Sequence, residues 1–250
     1  MSDLTAKRAL VTGATSGIGA ATARAFAAAG ARLVLSGRDR ARGEAVAAEI
    51  VAGGGEARFH RADLRDSGAC DALVAAAVQS LGGLDILVND AGVFHRGDVA
   101  TIEPWAWRET LAVNLDAVFF LSRAAVRLMH DRGGAIVNVA SDWALTAGED
   151  AVAYCAAKGG VLMLTRAMAL DHAREGIRIN AVCPGEVETP MLTEGVADLE
   201  AARARWAEAV PLGRIASPED VAEAILFLAS PRARHMTGSA LVIDGGAGAA

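Results

Sequence analysis

Short runs rich in Val, Ile and Leu recur along the chain at residues 8–12, 32–35, 84–88, 135–139, 177–182 and 240–243, with a more polar one around 58–60. Their apolar residues are consecutive instead of alternating, the pattern of strands buried on both faces. Between them lie Ala-rich segments whose apolar positions repeat at helical spacing, at 18–29, 41–51 and 67–81, followed by a longer one at 103–129; these predict helices. A further helix is expected from Ser217-Pro-Glu-Asp, where a serine cap precedes a first-turn proline, and the last run gives way to Asp244-Gly-Gly and a flexible tail. Strands alternating with helices predict an α/β fold: one doubly wound, Rossmann-type parallel sheet of about seven strands with helices on both faces. Such sheets take ligands beyond the carboxyl ends of their strands. No linker, charge block or repeat interrupts the pattern, and the 250 residues are expected to form one domain.

The strand ends are where chemistry would sit. The first run ends in Thr12-Gly13-Ala14-Thr15-Ser16-Gly17-Ile18-Gly19 and leads straight into a helix. Glycines let the backbone turn tightly against a phosphate, which the free N–H groups and positive dipole end of the helix then face. The second run ends Leu35-Ser-Gly-Arg38. Dinucleotide enzymes that use NAD usually place a carboxylate here, whereas arginine suits the extra phosphate of NADP. NADP is the preferred reading, and Asp39 leaves NAD open. Ala62-Asp63-Leu64 and Asn89-Asp90-Ala91-Gly92 close the next two strands with small and polar residues across which adenosine could lie. Asp63 could accept from an adenine amino group or simply cap a helix. Asn114 falls in the apolar middle of the 103–129 segment, where a buried amide must find partners or cost roughly 1–3 kcal/mol. Pro184-Gly185-Glu186-Val187-Glu188-Thr189-Pro190 ends the sixth strand and opens a charged, Ala-rich stretch, a candidate lid over about 185–210.

Residues 141–158 hold the reactive set. They contain the only tyrosine, Tyr154, and four positions on Lys158, one of two lysines in the sequence. On a helix these share one face. A phenol titrates near ~10, and a cation at ~4 Å favours its phenolate by up to ~4 kcal/mol at an effective dielectric of ~20. The pair is expected to exchange a proton with an alcohol or carbonyl near neutral pH. Ser141 would stand at a strand's carboxyl end facing the same crevice. Val93, Phe94, His95, Trp143, Glu149, Glu186 and Met191 are the candidate pocket lining; Trp143 suits a flat or apolar substrate, and His95, Glu149 and Glu186 suit hydroxyl groups.

Net charge of -6 and a pI near 5.4 argue against nucleic acid or an anionic membrane as partner. The first residues lack the zones of a signal peptide, and the most apolar stretch, 151–170, is interrupted by Lys158 and Arg166. Cys70, Cys155 and Cys183 are odd in number and lack metal-ligand spacing, which fits reduced thiols in a cytoplasmic protein. No metal is expected.

Taken together, T-G-x-x-x-G-I-G at 12–19, the D-A-G turn, Asn114, Ser141, Y-x-x-x-K, P-G-x-V-x-T at 184–189 and the D-G-G ending resemble the short-chain dehydrogenase/reductase family over essentially the whole chain. The resemblance implies Tyr154 as acid/base, Lys158 lowering its pKa and bonding the nicotinamide ribose, Ser141 orienting the substrate oxygen, and Asn114 holding a water in a proton relay. It implies cofactor contacts at Gly13, Thr15, Ser16, Gly17, Ile18 and Gly19, Asp63 and Leu64, Asn89, Ala91 and Gly92, Pro184 and Gly185, with Val187 and Thr189 at the carboxamide. The cofactor half would span about 1–140 and the catalytic half about 141–250. Asp90 departs from the family's usual second Asn; an ionised Asp can only accept hydrogen bonds. Family members are commonly tetramers built on helices matching 103–129 and 152–174. The expected activity is NAD(P)-dependent interconversion of a carbonyl and a secondary alcohol, NADP(H) preferred, with 3-oxoacyl thioesters among the open substrates. The alternatives are an NAD-dependent secondary-alcohol, polyol or diol dehydrogenase and, in another class, a non-catalytic cofactor sensor or scaffold.

Overall fold

The computed structural model describes residues 4–249. Met1–Asp3, part of the stretch read for a signal peptide, and Ala250 lie outside the described residues. Seven strands, β1 (Arg8–Val11), β2 (Arg32–Gly37), β3 (Glu56–Arg61), β4 (Ile86–Asn89), β5 (Gly134–Val139), β6 (Ile177–Pro184) and β7 (Ala240–Ile243), form one sheet in the order β3-β2-β1-β4-β5-β6-β7. Every neighbouring pair is parallel. The chain steps outward from β1 to β3, then returns past β1 to β4 and proceeds the other way. A crevice opens where that order reverses, at the carboxyl ends of β1 and β4.

The helices are α1 (Gly17–Ala28), α2 (Arg40–Ala52), α3 (Ser67–Leu81), α4 (Pro104–Leu111), α5 (Ala117–Met129), α6 (Val152–His172), α7 (Pro190–Thr193), α8 (Leu199–Glu208) and α9 (Pro218–Ala229). Strand side chains alternate between two cores, which explains the unbroken apolar runs. Ala9, Val11, Leu33 and Val137 pack with Phe26 of α1, Val46 of α2 and Ile225 of α9. Leu10, Val34, Leu87 and Ile136 pack on the opposite face with Leu73 of α3, Leu121 of α5 and Met168 of α6. Each fully buried Val, Leu, Ile or Phe among them contributes roughly 1.5–3 kcal/mol relative to exposure. The three cysteines are free, with Cys70 and Cys183 buried. Among the described residues, no helix is long and apolar enough to cross a membrane.

Three expectations need correction. The segment 103–129 is not one regular helix: α4 and α5 are joined by a π turn, Ala112–Asp116, centred on Asn114. Helicity at the end of α6 passes into a 3₁₀ turn at Ala173–Glu175 and stops at Gly176, whose φ of 73° lies in the left-handed region. The segment after Asp244-Gly-Gly, read as a flexible tail, closes in a 3₁₀ turn, Ala247–Ala249, because the Asp244 carboxylate accepts from the N–H groups of Gly246 and Gly248.

The start of α9 matches its sequence signature. Ser217 Oγ accepts from the Asp220 N–H at 3.2 Å, Asp220 Oδ2 accepts from the Ser217 N–H at 2.8 Å, and Arg214 pairs with the same carboxylate. Ser217→Ala is expected to lower stability by about 1 kcal/mol, read as a lower urea midpoint at unchanged m-value.

Candidate active site

A cleft of about 1090 Å³ opens over the carboxyl ends of the strands. Its floor is the glycine turn between β1 and α1. Gly13 has a φ of 68°, and a Cβ there would fall 2.8 Å from the Ala91 nitrogen; a Cβ on Gly37 would fall 2.5 Å from Thr15. The backbone is packed so closely that only glycine fits, and the space left above it has the form of a phosphate cradle. Thr12 Oγ1 accepts from the N–H groups of Asp90 and Ala91 at 3.1 and 3.3 Å, tying the end of β1 to the end of β4.

At the β2 and β3 end the cleft is lined by Gly37, Arg38, Asp39, Arg42, Asp63 and Leu64. Asp39 is committed to capping α2, accepting from the Arg42 N–H at 3.0 Å. Arg38 is exposed and stands 3.8 Å from Glu109. Asp63 does not cap α3; Asp66 does, through the Gly68 N–H. Asp63 instead pairs with Arg65, which holds its carboxyl below the usual range. Arg65 also reaches Glu109 at 3.2 Å, and Glu109 accepts His95 Nε2 at 2.8 Å.

Ser141, Tyr154 and Lys158 converge at the ends of β5 and α6. Lys158 Nζ donates to the Val139 carbonyl at 2.6 Å and lies 5.6 Å from the centre of the Tyr154 ring. The shared helical face is as expected, but the predicted lowering of the phenol's pKa is not found. Burial raises Tyr154 well above the ordinary phenol value, and the nearby Ser141 hydroxyl holds back only part of that rise. Burial likewise lowers Lys158, with the Asp90 carboxylate opposing, and raises Asp90, with Lys158 opposing. Asp90 sits against the glycine turn: a Cβ on Gly19 would fall 2.6 Å from its Oδ2. Asn114 is fully buried, and its amide clasps Val93, accepting from the N–H and donating to the carbonyl, each at 2.8 Å.

Most of the expected lining residues are present: Thr15, Ser16, Gly17, Ile18, Ala91, Gly92, Val93, Phe94, His95, Trp143, Pro184, Gly185, Glu186, Val187, Thr189 and Met191 all face the cleft. Three do not. Asn89 is buried behind it, donating to Ser122 and Asn138 across α5 and β5. Gly19 lies beneath the turn, against Asp90. Glu149 is exposed outside the cleft, because the chain from Thr146 to Asp150 loops away before α6. Asp142, Arg42, Glu109 and Trp206 were missed. Asp142 directly follows Ser141 at a strand end, a position whose polarity was a legible signal; Glu109 is distant in sequence and carried none.

The fold and this cluster define an α/β oxidoreductase of the dinucleotide-binding class. A family model described as "Enoyl-(Acyl carrier protein) reductase" matches residues 13–248. An L-rhamnose 1-dehydrogenase (NAD(P)(+)) of Azotobacter vinelandii is 42% identical, covering 96% of each chain. A galactitol 2-dehydrogenase (L-tagatose-forming) of Cereibacter sphaeroides is 42% identical, covering 95% of this chain and 93% of that one. The crystal structure of a candidate short-chain alcohol dehydrogenase from Sinorhizobium meliloti 1021 superposes with a TM-score of 0.94 at 38% identity, covering 99% and 98% of the two chains. The chain belongs to the short-chain dehydrogenase/reductase family, whose members act on alcohol and carbonyl groups with NAD(P).

Lys7 is the only other lysine, so 13Cε-lysine NMR isolates the buried ammonium. Lys158 is expected to titrate well below 10.5. Asp90→Asn removes the carboxylate that favours its charged form, and is expected to move that titration lower still.

Proposed function

We propose that the chain is an NAD(P)-dependent dehydrogenase of a small secondary alcohol, polyol or diol, with NADP(H) favoured. The observation carrying this reading is the convergence of Ser141, Tyr154 and Lys158 beside a glycine cradle that a Cβ would fill. The names of the relatives favour alcohol substrates over the 3-oxoacyl thioesters considered from sequence. Arg38 and Arg42 would hold the 2′-phosphate, since one Asp39 oxygen accepts from the Arg42 N–H and the other pairs with the Arg42 guanidinium at 3.4 Å, which disfavours Asp39 as a partner for ribose hydroxyls. What NAD(P) supplies when bound is the acceptor or donor of the hydride. Tyr154 takes or gives the proton of the substrate oxygen, Ser141 orients that oxygen, and Lys158 holds positive charge beneath the ring. Asn114 fixes Val93 at the pocket edge. A relay water would have to sit beside the amide's existing clasp.

The chain would work as one catalytic unit in the cytoplasm, with α7 and α8 as a lid. A homotetramer would cover Phe119, Leu128, Met163 and Leu170, apolar residues exposed on α5 and α6. Burial keeps Tyr154 protonated at neutral pH. Oxidation needs the phenolate, so its rate is expected to climb as pH rises above neutral, while reduction, which uses the phenol, does not climb. Tyr154→Phe should abolish turnover across a panel of secondary alcohols; unchanged turnover would sink the catalytic reading. Arg38→Ala should weaken NADP+ binding at least tenfold, about 1.4 kcal/mol, with little change for NAD+, as read by fluorescence titration.

A further inference from the structure

Ser141 is not alone at the end of β5. Its hydroxyl donates to Asp142 Oδ1 at 2.9 Å, and the Trp143 N–H donates to the same oxygen at 2.8 Å. One carboxylate oxygen is thereby fixed. The other, Oδ2, has no protein donor among the described residues and lies against Gly185, where a built Cβ would come within 3.5 Å of it. Both residues line the cleft, as does Glu186. The same cleft carries an apolar wall. Phe94 meets the Tyr154 ring edge-on at 5.3 Å, and Trp143 meets it at 6.2 Å. The Trp143 indole is backed by Gly148, on which a Cβ would fall 2.5 Å from the ring.

A substrate oxygen held by Ser141 and Tyr154 therefore lies one residue from an acceptor-only group with a vacant lone-pair face. In a gauche 1,2-diol the neighbouring oxygen is about one hydrogen-bond length from the reacting oxygen. Its hydroxyl can donate to Asp142 Oδ2 while the carbon skeleton rests on Trp143 and Phe94. The geometry points to Asp142 as the residue that selects a vicinal diol, cyclic or sugar-like, by accepting the hydroxyl next to the carbinol that is oxidised. This rests on the dehydrogenase reading above and narrows its substrate class. Burial, partly offset by the Ser141 hydrogen bond, raises the Asp142 carboxyl, and Glu186 and Asp244 add to the rise. A neutral donor such as a hydroxyl suits this site, and an anionic group at the same position does not.

The test compares cyclohexanol with cis- and trans-cyclohexane-1,2-diol in the wild type, Asp142→Asn and Asp142→Ala, with both coenzymes. The wild type is expected to prefer at least one diol by tenfold or more in kcat/KM, mainly through KM. In both variants that ratio should collapse towards one, whatever happens to absolute rates through Ser141. A role confined to holding Ser141 would lower both substrates alike and leave the ratio intact; that result overturns the assignment, as does a wild type without preference. Turnover of none of these alcohols counts against the dehydrogenase reading itself. Calorimetry of diol against mono-alcohol on the wild-type and Asp142→Asn complexes with NADP+ then decides on Asp142 separately: a tenfold diol preference that the variant loses supports it, and equal binding overturns it.

Discussion

A buried ammonium sets the terms for the site. Lys158 is 4% exposed, and a charge removed from water costs several kcal/mol unless partners compensate. The Val139 carbonyl at the end of β5 and the Asp90 carboxylate at the end of β4 are those partners. Both strands must finish where they do for the charge to survive. Asp90 in turn can approach only because Gly13 and Gly19 have no side chains. The cradle, the strand ends and the reactive helix are thus linked by one electrostatic requirement.

That requirement also changes how the proton chemistry is read. Spacing alone puts Tyr154 and Lys158 on one face and suggests a phenol eased towards ionisation. In the folded chain both groups are buried, and desolvation outweighs attraction: the phenol holds its proton more tightly and the ammonium less tightly. The lysine's nearest partner is a backbone carbonyl that no side-chain motif encodes.

Much of the architecture was legible because it rests on local rules. Consecutive apolar residues marked six of the seven strands, the more polar β3 was placed by its position in the alternation, and the Ser217 cap marked α9. Legibility failed where partners are remote. Asn89 sits inside a glycine-turn motif yet turns away to Ser122 and Asn138, which are brought to it by α5 and β5. Asp63 is drawn off by Arg65, two residues on. Glu109 joins Arg65 and His95 from a helix far along the chain. Glu149 was placed by its sequence position between Ser141 and Tyr154, but a loop carries it outside the cleft. The break at Asn114 was not read because a π turn shifts the apolar spacing by only one residue within a long apolar segment.

The π turn has a consequence for which changes of length the chain can tolerate. Five residues, Ala112–Asp116, take one more residue per turn than the helices they join. Everything downstream on α5 is therefore rotated by about 100° from where an uninterrupted helix would carry it. Asn114 faces Val93 and Leu121 faces the sheet only under that offset. Removing a single residue here would restore a regular helix and leave Leu121 on the sheet, because the deletion and the π turn shift α5 by the same amount; the wide turn that presents Asn114 to Val93 would be lost. The core register of α5 therefore survives the loss of that residue, whereas the pocket edge at Asn114 does not.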